Sequence, residues 1–190
     1  MRTTIQRSAS PALEVLYLEH TKMLIAVDGL VLTFTPYSHN YNYRSAMLHG
    51  TVCFLEDDDE KMFAMELITN HVHPARWKDS RTPPTKTELS STGIMRVDLT
   101  SASAKVRTGP AVDQDKEDWA DMEMRNRVWV GVVPVYETLG EPVTADYSLV
   151  PTPPTAVRRH VQGRNEKEKA WAEKVAREKL DLPLQHNGSS

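Results

Sequence analysis

Two apolar runs, "MLIAV" (Met23 to Val27) and "LVLTF" (Leu30 to Phe34), are separated by nothing but Asp28 and Gly29. A two-residue Asp-Gly loop satisfies the positive φ angles of a type I′ turn, so the spacing predicts a tight β-hairpin at this point. A hairpin commits the chain to antiparallel pairing and to a sheet that buries one face. The next stretch fits that constraint. In "NYRSAMLHGTVCFLE", Ala46, Leu48, Gly50, Val52 and Phe54 alternate onto one face of a long strand, while Tyr43, Ser45, Met47, His49 and Thr51 form a more polar face.

Around this sheet the remaining segments divide into helices and connectors. "EDDDEKMFAMELITNHV" places acids in a first turn and spaces Phe63, Leu67, Ile68 and Val72 as a helix does, with Pro74 as its stop. Thr82 or Thr85 caps a short helix running through Leu89. "GIMRVDL" reads as an imperfect strand, "DQDKEDWADMEMRN" as a solvated acidic segment, and "RVWVGVVPVYET" as a buried strand with Pro134 near its end. "ALEVLYLEH" (Ala12 to His20) fits a helix or a strand equally. Residues 151–164 form a Pro-rich linker and 165–181 a charged helix with a stripe of Trp171, Ala172, Val175, Ala176 and Leu180; a disordered tail is expected over 182–190.

The 190 residues, 39% of them hydrophobic, suit one globular domain with tails, here residues 21–150, preceded by a variable segment over 1–20. A net charge of −3 gives no reason to expect bulk nucleic-acid binding, so any anion site is local. The single Cys53 cannot close an intramolecular disulfide, which fits a reducing compartment such as the cytoplasm. No apolar run approaches the roughly 20 residues of a membrane helix. Arg2 and Arg7 are not followed by the apolar core of a secretory signal, although an organelle-import reading of the first twelve residues stays open.

The most suggestive chemistry lies in "SASAKVRTGPAVD". Lys105 and Arg107 stand two apart, which on a strand puts both side chains on one face, and Gly109 lets the backbone turn or approach a ligand. That arrangement suits a phosphate; two solvated cations before a turn would look the same. Arg44 falls in the apolar register of its strand, a position that calls for an acid or an anion. In "HVHP", His71 and His73 diverge by about 200° on a helix and converge only if the helix ends before His73. With no third ligand at recognisable spacing, no metal is expected. No Gly-x-Ser-x-Gly, phosphate-binding Gly-rich loop or Gly-x-Gly-x-x-Gly is present, so hydrolase and dinucleotide-fold readings have no anchor. Trp129 suits a core position or the wall of a flat aromatic ligand.

Taken together, "DGLVL…NYRSAMLHGTV", "HPARW…PPT…EL" and "SAKVRTGPAVD…VWVGVVPV" resemble the pyridoxamine-5′-phosphate-oxidase-like superfamily, in its flavin-nucleotide-binding, nitroimidazole-reductase-like branch, over residues 22–135. The resemblance implies an α+β protein built on an antiparallel split β-barrel of the FMN-binding type, with a charged C-terminal helix. It implies a homodimer that holds FMN between protomers and acts as an oxidoreductase on an unnamed small molecule. On that alignment Asn42, Arg44, Ser45, Lys105, Arg107 and Trp129 line the cofactor. The segment before Asp28 departs from the family's FMN-phosphate cradle, with Arg7, Ser8 and Ser10 as its nearest substitutes. That departure raises an alternative, a catalytically inactive barrel that binds flavin or another ligand, and leaves sheet edges to be covered by a second protomer or by the C-terminal helix. A third reading makes residues 165–181 a partner-binding helix.

Overall fold

The computed structural model describes residues 18–112 and 116–180. Strand β1 (Leu18–Leu32) and strand β2 (Asn40–Phe54) pair antiparallel over nearly their full length. The Asp28-Gly29 hairpin expected from sequence does not form: β1 runs straight through it. Val27 pairs with Tyr43 and Gly29 with Asn42, so Asp28 is the extra residue of a β-bulge. Among the described residues Gly109 is the glycine with positive φ, and Gly29 therefore lacks the conformation a type I′ turn demands. The reversal occurs later, around the 3₁₀ turn Pro36–Ser38. There the Ser38 N–H donates to the Thr35 carbonyl at 3.1 Å, and the Thr33 N–H donates to His39 Nδ1 at 3.1 Å.

Asp57 caps helix α1 (Asp58–Val72) by accepting from the Glu60 N–H at 2.8 Å. Thr85, the second of the two candidate caps, begins helix α2 (Lys86–Ser91) with a reciprocal capping box: its hydroxyl accepts from the Glu88 N–H and its own N–H donates to the Glu88 carboxylate. Arg81 also binds that carboxylate and, with the Thr85 donors, holds its pKa down to about 2.

Strand β3 (Met95–Arg107) then adds antiparallel to β2. Its Thr100 is bulged between the pairs Leu99–Gly50 and Ser101–His49, and its hydroxyl donates to the His49 carbonyl at 3.2 Å. The backbones approach closely here, since a Cβ at Gly50 would lie 2.5 Å from the Asp98 carbonyl oxygen. Gly50→Ala is therefore expected to cost about 1–3 kcal/mol through forced displacement of β3. Urea denaturation measures this, and an unchanged midpoint refutes the tight approach.

The segment 113–126, read from sequence as solvated, carries two short helices, α3 (Lys116–Ala120) and α4 (Met122–Arg127). Strand β4 (Gly131–Pro134) pairs with β1 and completes a four-stranded sheet in the order β3-β2-β1-β4. The long helix α5 (Thr155–Arg177) starts ten residues before the expected 165, inside the stretch read as a linker, because Pro154 sits at its N-cap with φ near −53° rather than breaking it. The expected tail over 182–190 lies outside the described residues.

Helix α5 packs on β1 and β4 and supplies the best-buried apolar side chains, Ala172 and Val175, both fully enclosed. Enclosing a valine contributes about 1.5–3 kcal/mol. Elsewhere the single chain leaves much apolar surface uncovered. The stripe of α1 that periodicity assigns to a core is open, with Phe63 65% and Ile68 58% exposed. Ile25, Phe54, Met95 and Leu99 of the sheet are open too. Among the described residues no helix is long and apolar enough to cross a membrane.

Candidate functional site

The bulge at Asp28 turns an acid into the interior. Its carboxylate receives a two-point contact from Arg44 on the neighbouring strand, Nε to Oδ2 at 2.9 Å and Nη2 to Oδ1 at 2.7 Å. The Asp28 side chain is almost completely enclosed, whereas that of Arg44 is 41% exposed. The guanidinium lies 5.0 Å from the centre of the Trp171 ring, and Glu168 approaches it at 3.8 Å, both from α5. Its pKa is raised, first by the hydrogen bonds to Asp28 and further by the charges of Asp28 and Glu168, against the opposing effect of burial.

Two residues before Arg44, the buried Asn42 performs a second docking task. Its Nδ2 donates to the Gly109 carbonyl at 2.9 Å and to the Val175 carbonyl at 3.0 Å. The Gly109 N–H also donates to the Val175 carbonyl, at 2.7 Å, and the Leu180 N–H donates to Thr108 Oγ1 at 2.8 Å. The turn that follows β3, Thr108-Gly109, is thereby tied to the end of α5. Gly109 is required there, with φ of 111° and the Lys179 backbone about 3.4 Å from where a Cβ would stand.

Strand alternation separates the residues expected at one site. Asn42 and Arg44 face α5. Ser45, Lys105 and Arg107 lie on the opposite face, since Ser45 pairs with Lys105 and Tyr43 with Arg107. On that face Ser45 Oγ donates to the Lys105 carbonyl at 3.2 Å, and the Lys105 ammonium hovers 5.9 Å from the Tyr43 ring centre. Neither Lys105 nor Arg107 forms an ion pair with any acid among the described residues. Ile25 and Val27, on β1 in the same register, extend this face as an open apolar floor.

Trp129 stands elsewhere. It precedes β4, at the sheet edge away from β3, so three strand spacings of about 4.8 Å separate the two edges. Its ring is 62% exposed and folds over Gly131, where a Cβ would come within 2.6 Å of it. Arg7, Ser8 and Ser10 lie outside the described residues. His73 is the C-cap of α1 in extended conformation, so the helix does end before it. It turns not toward His71 but toward His160 of α5.

The arrangement is a pair of cations, Lys105 and Arg107, set on a partly apolar sheet face. Two cations free of acids among the described residues, next to a hydroxyl and aliphatic side chains, have the chemistry to meet an anion. Of the residues that fix Arg44, Asp28 reads from sequence as a turn residue, Trp171 as part of the helix stripe, and Glu168 is not singled out. The signal for Asp28 was an acid embedded in a continuous apolar run, which reads as a turn unless the strand passes through it.

Residues 7–106 match the sequence pattern of the family described as pyridoxamine 5′-phosphate oxidase. This chain belongs to that family. Similar solved structures include the FAD and heme binding protein from Mycobacterium smegmatis, at 29% identity and a TM-score of 0.67 over 81% of this chain and 74% of that one. The flavocytochrome Anf3 from Azotobacter vinelandii is similar at 29% identity and a TM-score of 0.64, over 74% of this chain. This pyridoxamine-phosphate-oxidase-like protein spans 63% of the length of that flavocytochrome. No curated protein sequence matches it.

Proposed function

We propose that this member of the pyridoxamine 5′-phosphate oxidase family is an FMN-dependent oxidoreductase that works as a cytoplasmic homodimer. The observation that carries the reading is the pair Lys105 and Arg107, free of acids among the described residues and set on an open sheet face in a family with flavin-binding structural relatives. When bound, the flavin supplies the redox chemistry. The chain's own part is to neutralise the phosphate with Lys105 and Arg107 and to lay the ring on the aliphatic floor of Ile25 and Val27.

A second copy of the chain supports two features at once. It covers the exposed Phe54, Met95 and Leu99, which share one face of the sheet. It also supplies a second sheet against which the split barrel closes. The preparation is expected to be a dimer by light scattering, to show flavin absorption or to quench the fluorescence of added FMN, and to release FMN on denaturation. A colourless monomer that leaves added FMN fluorescent overturns the proposal.

One observation favours the alternative of a non-catalytic flavin- or ligand-binding barrel. Two of the expected cofactor contacts have partners within the chain: Asn42 Nδ2 donates to the Gly109 and Val175 carbonyls, and Arg44 binds Asp28. Binding of FMN without any catalysed oxidation of a nicotinamide donor would favour that reading. Haem, which the FAD and heme binding protein from Mycobacterium smegmatis binds, fits less well at the histidine pair of this chain. Two imidazoles trans on one iron need ring centres roughly 6 Å apart, from metal–nitrogen bonds of about 2.0 Å. The His73 and His160 rings stand 4.8 Å apart.

A further inference from the structure

His73 and His160 belong to neither the cation face nor the α5 anchor, yet they form a built contact between two distant segments. The C-terminal turn of α1 is held firmly. The Trp77 N–H donates to Asn70 Oδ1 at 3.0 Å, the Arg76 N–H donates to the His73 carbonyl at 3.0 Å, and Ala75 takes a positive φ of 63°. This turn ejects His73 from the helix and aims it at α5. Its ring meets that of His160 edge-on, with an interplanar angle of 65°.

Both ring nitrogens of His73 are sealed from solvent, and neither has a hydrogen-bond partner. Burying an imidazole with both nitrogens unsatisfied costs free energy, and such orphans in a native fold point to a missing ion or water. The ring spacing, which also suits an edge-to-face contact, bears on the coordination angle a shared ion would have. Two imidazoles bound at a tetrahedral angle, with metal–nitrogen bonds of about 2.0–2.1 Å, place their ring centres roughly 5 Å apart. The observed 4.8 Å agrees with that and is too short for a trans pair.

We infer that His73 and His160 form a two-imidazole site for a borderline divalent transition-metal ion, Zn²⁺, Co²⁺ or Ni²⁺, that clips the end of α1 to α5. Neutral nitrogen ligands select these ions over Mg²⁺ or Ca²⁺. Among the described residues no third histidine, cysteine or carboxylate joins the pair. The inference is independent of flavin binding.

The test titrates the purified full-length protein with Co²⁺ alone, following visible ligand-field bands, and then displaces Co²⁺ with Zn²⁺. One equivalent of Co²⁺ is expected to saturate, and Zn²⁺ is expected to raise the melting temperature by linkage. His160→Gln keeps a good helix former in α5, and His73→Ala removes the other ligand. Each removes one of only two protein ligands and is expected to weaken binding more than the roughly 10–100-fold that loss of an outer-shell partner costs. His71→Ala, at an exposed position, is expected to leave it unchanged. Absence of saturable binding in the parent protein overturns the inference, as does His160→Gln binding Co²⁺ like the parent while folded by circular dichroism.

Discussion

Replacing Arg44 by leucine is expected to destabilise the protein by about 3–5 kcal/mol, the cost of leaving a buried carboxylate without its counter-ion. The Asp28 side chain is almost wholly enclosed and depends on two short bonds from Arg44. The loss also removes the cation stacked on Trp171, and with it part of the seat of α5. The opposite change is milder. Asp28→Asn leaves a guanidinium that is 41% exposed and can recover water. Combining the two substitutions is expected to restore much of the stability lost in Arg44→Leu, because no unpaired charge remains inside. Denaturant unfolding of the two single variants and the double variant measures the coupling. A loss below about 1 kcal/mol for Arg44→Leu would show that Asp28 finds solvent or another donor.

The second large effect is on ligand affinity. Substituting both Lys105 and Arg107 by alanine is expected to weaken FMN binding about a hundredfold. Each charge-assisted bond to phosphate contributes about 1.5–3 kcal/mol, and about 1.4 kcal/mol is tenfold, so exposure of the cations is allowed for by taking the low end. Stability is expected to change little, because neither side chain pairs with an acid among the described residues. Riboflavin, which lacks the phosphate, provides the control. Its affinity is expected to be the same in parent and variant by fluorescence titration. Equal losses for both flavins, or none for FMN, would remove these cations from the phosphate site.

Much of the architecture was legible in the chain. The β2 strand follows from the alternation of Ala46, Leu48, Gly50, Val52 and Phe54 with a more polar face. Helix α1 follows from acids at its start and a 3.6-residue period; for α2 the chain offers Thr82 or Thr85 as the cap, and the capping box with Glu88 selects Thr85. The stripe Trp171, Ala172 and Val175 is the one α5 turns to the sheet, with Ala172 and Val175 enclosed. Those features are local, each set within a few residues by propensity and capping. The placement of Lys105 and Arg107 on one strand face follows from the same period-2 geometry.

What the sequence could not decide depends on partners far along the chain. Asp28-Gly29 has the composition of a turn, and only the salt link to Arg44 and the pairing of Gly29 with both Asn42 and Pro134 make it a bulge. Asn42 and Arg44 share a strand with Ser45 but serve the opposite face, because α5 returns from 133 residues away to accept the amide of Asn42. The approach of His73 to His160 depends on the same long return. Local forces choose helix, strand and cap. Which face is covered, and which charge is left free to meet a ligand, is fixed only when distant segments compete for the same polar groups.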